Sequence, residues 1–133
     1  MASVIYNKAK ESFLSQNPSI DMDTDTIKAA LVDTGTYTFS SSHQYYSSVS
    51  GVVGTPATLA SKTVTNGTFD AADVTYSAVT GASVEAIIIY KDTGSAATSP
   101  LIAYIDSASS GLPVTPNGGD ITVAWNASGI FSL

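Results

Sequence analysis

The stretch VEAIIIY, residues 84–90, decides how the rest of the chain is read. Val84, Ala86, Ile88 and Tyr90 fall on one alternation and Ile87 and Ile89 on the other, so both faces are apolar and only Glu85 carries a charge. A half-solvated strand alternates apolar and polar residues, whereas a strand apolar on both sides must be covered on both sides. The run therefore predicts the central strand of a sheet. Lys91-Asp92-Thr93-Gly94 ends it, and residues 95–100 form a small-residue loop. LIAYID, residues 101–106, then returns as its antiparallel partner.

Working outward, the surrounding text is also that of strands and turns. TIKAALV, residues 26–32, reads as a first strand that stops at Asp33-Thr34-Gly35. KTVTNGTFDA, residues 62–71, is the clearest hairpin, because Asn66-Gly67 supplies the two positive-φ positions of a type I′ turn. That register sets Val64 opposite Phe69 and Thr65 opposite Thr68. Residues 73–79 continue as a half-buried strand, with Val74, Tyr76 and Ala78 alternating against Thr75 and Ser77. Residues 113–119, with two prolines and Gly118-Gly119, form a turn-rich connection. Ile121, Val123 and Trp125 alternate with Thr122, Ala124 and Asn126 in a penultimate strand, and residues 130–133 form a short apolar tail.

One helix is predicted, over residues 3–16, where Ile5, Ala9 and Phe13 recur on one face. Ser3 is its expected N-cap, and Asn17-Pro18 its stop. A short helical turn is expected within residues 41–49. The whole reads as a mainly β, single domain over residues 1–133. Residues 1–20 hold the helix and its connection, and residues 21–133 form an antiparallel β-sandwich or jelly-roll-like unit.

Composition narrows the function. The 133 residues are 44% hydrophobic and 12% charged, which suits a folded core rather than a disordered chain. The formal charge is −6, and the basic residues are Lys8, Lys10, Lys28, Lys62 and Lys91, with no arginine. Nucleic-acid binding calls for a concentrated basic surface with guanidinium forks, so no nucleic-acid partner is expected. The absence of cysteine removes disulfides, thiolate metal sites and cysteine nucleophiles. The opening MASVIYNKAKESF has no continuous apolar core of a signal peptide, and no stretch is long enough to span a membrane, so a soluble chain with no membrane partner is expected.

Candidate chemistry is sparse. Asp21, Asp23 and Asp25 in DMDTDT have the alternate spacing that opens a calcium loop. A calcium hand also needs glycine at loop position 6 and a carboxylate at position 12, where this chain has Thr26 and Val32. The aspartates remain weak candidates for a looser calcium site. An acidic, solvated turn before the first strand explains them more simply. His43 is the only histidine, and no G-x-S-x-G elbow accompanies it, so a surface histidine beside Tyr45 and Tyr46 is expected. Glu85 and Asp106 lie on neighbouring strand candidates but near strand ends, where each charge reaches water. Gly118-Gly119 follows no strand-to-helix pattern and carries no phosphate lysine, so it reads as a turn. Asn66-Gly67-Thr68 and Asn126-Ala127-Ser128 match the glycosylation triplet but have no secretory signal to give it meaning. No catalytic residue, cofactor or firm metal ligand is assigned, and no enzymatic activity is expected.

The tyrosines are more suggestive. Tyr76, Tyr90 and Tyr104 fall on strands and belong to a core. Tyr37, Phe39, Tyr45 and Tyr46 fall in a long excursion, where aromatic residues either anchor partners or fold down over an open end of the domain.

Four segments, DTDTIKAALVDT, VTGASVEAIIIYKDTG, SPLIAYID and GLPVTPNGGDITVAWNASGIFSL, together resemble small structural proteins of tailed bacteriophages. The resemblance runs from about residue 23 to the C-terminus, with the run around TPNGGDITV its most distinctive part. It implies a virion protein similar to capsid decoration, or cement, proteins with β-sandwich cores. No catalytic motif comes with it. The implied partners are the major capsid protein and further copies of the chain in a homo-oligomer, on the capsid exterior after synthesis in the host cytoplasm. The expected interface residues are Ile5, Phe13, Tyr37, Phe39, Tyr45, Tyr46, Ile130, Phe131 and Leu133, since chain ends and loop aromatics can reach neighbours. The alternative is a tail- or fibre-associated module that binds a host receptor or glycan through Tyr45, Tyr46 or Trp125. A calcium-dependent adhesion domain using the three aspartates is a third.

Overall fold

Residues 4–106 and 112–132 are described by a computed structural model. Along the chain run β1 (Val4–Ile5), α1 (Asn7–Ser15), β2 (Ile27–Val32) and a 3-10 turn (Tyr46–Ser48). They are followed by β3 (Val52–Thr58), β4 (Thr63–Thr65), β5 (Thr68–Asp70), β6 (Val74–Tyr76), β7 (Ala86–Lys91), β8 (Leu101–Ile105), β9 (Ile121–Val123) and β10 (Phe131–Ser132). The protein is mainly β, with antiparallel sheets and one short N-terminal helix.

The largest sheet has the order β1-β8-β7-β2-β3, so the doubly apolar run lies in the middle. β7 pairs β2 from Ile27↔Lys91 to Val32↔Ala86, and pairs β8 from Ile87↔Ile105 to Tyr90↔Leu101. Alternation then splits the side chains between two separate cores. Ile27, Ala29, Leu31, Ile87 and Ile89 enter one, and Ala30, Val32, Ala86, Ile88 and Tyr90 enter the other. A bulge between Ile89 and Tyr90 leaves Ile102 as the extra residue of β8, and Ile102 joins Ala103 in the first core. Burying one such aliphatic side chain is worth about 1.5–3 kcal/mol, so this strand trio anchors the fold.

The first core is closed by two smaller sheets, β10-β5-β4 and β6-β9, which bring in Phe69, Val74, Tyr76, Ile121 and Val123. Trp125 joins them just after β9, its indole N–H donating to the Ala72 carbonyl at 3.1 Å. Tyr76 reaches across to donate its hydroxyl hydrogen to the Ala29 carbonyl at 2.9 Å. The second core is closed by α1, through Ala9 and Phe13, and by the excursion between β2 and β3, through Tyr37, Phe39, Tyr46 and Val49.

The expected hairpin forms as read, with Val64↔Phe69 and Thr65↔Thr68. Asn66 and Gly67 both have positive φ, 51° and 78°. Elsewhere the boundaries move. The helix starts at Asn7 rather than residue 3, because Val4 and Ile5 pair with Tyr104 and Ala103 as an edge strand. Ser3, the expected cap, lies outside the described residues, and Tyr6 occupies the N-cap position without a side-chain hydrogen bond. The helix ends at Ser15, with Gln16 left-handed at the C-cap, just before the expected stop. The strand expected over 73–79 ends at Tyr76, since Ala78 takes φ 49°. Val84 stands outside β7 and bridges Val114, within the segment read as turns. β3 had no counterpart in the sequence reading. It is an edge strand, which tolerates Pro56, and it bulges against β2 between Ala29 and Leu31. Among the described residues no helix is long and apolar enough to cross a membrane.

Candidate functional site

The apolar surface of the molecule gathers where its two ends meet. β10 pairs β5, Phe131 opposite Phe69, and their rings lie 5.5 Å apart. α1 runs past the same region and presents Phe13, which touches both cores. Phe131 thereby separates two grooves. The smaller, about 320 Å³, is floored by Phe13, Ile20, Met22, Phe69 and Phe131 and edged by Val64, Gln16, Asp21 and Asp23. The larger, about 680 Å³, is lined by Val4, Ile5, Ile105, Ile130 and Phe131, with Lys10 at its margin. Among the described residues, Val64 and Leu14 are the large hydrophobic residues left exposed, at 51% and 90%. The expected contacts Ile5, Phe13, Ile130 and Phe131 are thus brought together on one face, each half-buried. Leu133 lies outside the described residues.

The acidic turn forms the wall of the smaller groove, and its geometry is set by its own hydrogen bonds. Asp21 accepts the backbone N–H of Asp23 and of Thr24, each at 3.3 Å. Asp25 accepts the Asp21 N–H at 2.8 Å and the Lys91 ammonium at 3.0 Å. Lys91 also donates to the Ser19 carbonyl at 2.8 Å, and Lys62 donates to the Asp25 carbonyl. Two lysines therefore pin the turn from the strand side. Asp21 and Asp23 remain together at the surface. A hydrogen bond between their carboxyls raises Asp23 above the ordinary aspartate range, with the Asp21 charge adding to it, and lowers Asp21. Asp25 is committed to Lys91 and to the Asp21 N–H, and the described residues hold no group of three or more His, Asp or Glu arranged to bind a metal ion.

The loop aromatics take a different place from the chain ends. Tyr37 is 2% exposed, and its hydroxyl bridges the Tyr6 hydroxyl at 2.7 Å and His43 Nδ1 at 2.8 Å. Phe39 packs on Tyr6 and Tyr104, with ring centroids 5.2 and 4.8 Å apart. Tyr46 stacks on Tyr90 at 4.0 Å with only 9° between the planes, and Tyr45 bridges Pro100. Tyr37, Phe39 and Tyr46 cover the second face of the large sheet, the covering role that the sequence left open beside the partner-anchoring one. Burial pushes the Tyr37, Tyr46 and Tyr104 hydroxyls upward in pKa. His43 is half-buried against Tyr37 rather than lying on the surface beside Tyr45 and Tyr46. Trp125 is 6% exposed, its indole turned inward. Glu85 is held by Thr34, whose N–H and hydroxyl donate to its carboxylate at 3.0 and 3.1 Å.

Sequence reasoning did not name Lys10, Ile20, Met22 and Val64 as groove-lining residues. Only Val64 gave a signal, as an apolar residue on a hairpin too short to be covered on both faces. No protein-family model and no curated protein sequence matches the chain.

Proposed function

We propose that this chain is a non-enzymatic structural protein of a tailed-bacteriophage virion, a decoration protein that binds the major capsid lattice and stabilises it from outside. In this reading its sheets form a jelly-roll-like β-sandwich and its copies assemble as a small homo-oligomer. The observation that carries the proposal is the half-buried apolar face at the meeting of the chain ends, around Phe131. The sequence resemblance across residues 23–133 supports the virion context. A lattice repeats one contact many times, so a modest apolar contact per copy suffices for firm decoration.

The test is binding of the purified chain to undecorated capsids, followed by their resistance to heat. Saturable binding at hundreds of copies per particle, with a raised disruption temperature, supports the proposal. Retention on host cells with no capsid binding overturns it in favour of a tail module.

A further inference from the structure

We infer that the groove between Phe13, Met22, Val64 and Phe131 is a docking site for a partner-protein segment carrying one apolar anchor side chain flanked by lysine or arginine. The partner's identity as a capsid component rests on the virion reading; the chemistry of the groove does not.

The groove volume, about 320 Å³, lies at the bottom of the range for small-molecule pockets, about 300–1,000 Å³, and matches a side chain better than a metabolite. Its floor is aromatic and aliphatic. Its side-chain rim is acidic, because the Gln16 amide nitrogen is spent on the Ser12 and Phe13 carbonyls, at 3.4 and 3.2 Å, and its carbonyl oxygen takes the Ser19 hydroxyl at 3.4 Å. That leaves the carboxylates of Asp21 and Asp23. An occupant must therefore bring donors and positive charge beside its apolar group. Lys62 is the cation of this chain that acts on Asp23, and it is anchored on the Asp25 carbonyl.

A second copy suits the site poorly. Lys8, Lys28 and Lys91 are already paired with Glu11, Asp92 and Asp25, and Lys10 sits at the other groove.

The test is amide NMR titration of the full chain with three synthetic peptides, GKKFKKG, GKKAKKG and GEEFEEG. The lysine-phenylalanine peptide should shift the amides of Met22, Asp23, Gly67 and Phe69. Losing the phenylalanine should weaken binding about tenfold or more, the scale of one buried aromatic ring. Val64→Lys and Asp23→Lys both alter exposed side chains and leave the core intact. Each should weaken GKKFKKG by about threefold or more, the scale of a surface charge pair, and Asp23→Lys should move the preference toward GEEFEEG. No shift at millimolar GKKFKKG, shifts confined to another face, or equal response to GEEFEEG overturns the inference. So does a dimer in sedimentation that Val64→Lys abolishes, which would make a second copy the occupant. If both variants decorate capsids as the parent does, the docking site is wrong and the virion reading stands. If the parent never binds capsids while the peptide preference holds, the virion reading falls and the groove assignment stands.

Discussion

Replacing Tyr37 with phenylalanine isolates the energetics of the buried polar chain beneath the excursion. The substitution keeps the ring, and with it the contacts to Tyr104 and His43 at centroid distances of 6.4 and 5.7 Å. It removes one oxygen, the atom that joins the Tyr6 hydroxyl to His43 Nδ1. Tyr6 is 0% exposed and has no other hydroxyl partner among the described residues, so its O–H is left buried and unpaired. An orphaned buried group of this kind costs about 1–3 kcal/mol. At an unfolding entropy of about 2.1 cal/mol/K per residue, the 133-residue chain changes by roughly 0.28 kcal/mol per degree. A cost of about 2 kcal/mol then lowers Tm by about 7 °C. Tyr6→Phe should cost less, about 0.5–1.5 kcal/mol, because Tyr37 keeps His43 as its acceptor. The double variant has no orphan hydroxyl, so its cost should fall short of the sum by about 1 kcal/mol. Urea unfolding of the four proteins, with m constant across the set, measures the cycle. Strict additivity, or a Tyr37→Phe variant as stable as the parent, refutes the hydrogen-bond account.

Three further perturbations probe the same packing. Tyr6, Tyr37, Tyr46, Tyr76, Tyr90 and Tyr104 all have pKa values raised first by burial. Above about pH 10 the unfolded chain releases tyrosine protons that the native fold retains, so ν_U falls below ν_N and stability declines as pH rises. Each deeply buried tyrosine, Tyr6 and Tyr76 above all, contributes up to about 1.4 kcal/mol per pH unit there. Tyrosinate absorbance should rise together with loss of near-UV dichroism, and full ionisation of all tyrosines in an intact fold would contradict this. Gly129→Ala should loosen the C-terminal strand, because at φ 108° an added Cβ collides with Thr68 Cγ2 and sits 3.2 Å from the Phe69 carbonyl. Faster hydrogen exchange of the Ile130 amide, which bonds Phe69, checks it, and unchanged protection counts against it. Ile88→Ala, at a fully buried position in the central strand, should cost about 2–5 kcal/mol, read from the fall in urea midpoint at constant m.

The central strand, its partners and the hairpin were legible because each is dictated locally. Isoleucines on both alternations admit only a doubly covered strand, and Asn-Gly closes a two-residue hairpin whatever surrounds it. β3 was hidden because Gly54 and Pro56 are the residues that usually end a strand, and only an edge position excuses them. Val4 and Ile5 fit a helical stripe as well as a strand; their pairing with Tyr104 and Ala103, a hundred residues away in sequence, decided the matter. At the surface, Ile5, Phe13, Ile130 and Phe131 could be named from position in the chain. Met22 and Lys10 could not, because their joining these grooves depends on how the hairpin, the acidic turn and the helix converge.

That convergence bears on how a partner would act on the protein itself. The elements around Phe131 are the least supported in the fold: β1 and β10 are two residues each, and β4 is solvent-exposed along its length. Short edges with few buried contacts open more readily than the central trio of β2, β7 and β8. A partner that binds only the closed form of this face raises the free energy of opening by RT ln(1 + [L]/Kd), about 2.7 kcal/mol at a hundredfold excess over Kd. In the proposed assembly, decoration therefore stiffens the decorator as well as the lattice. The stiffening falls on β1, β10 and the hairpin, because the central strands are already covered on both faces.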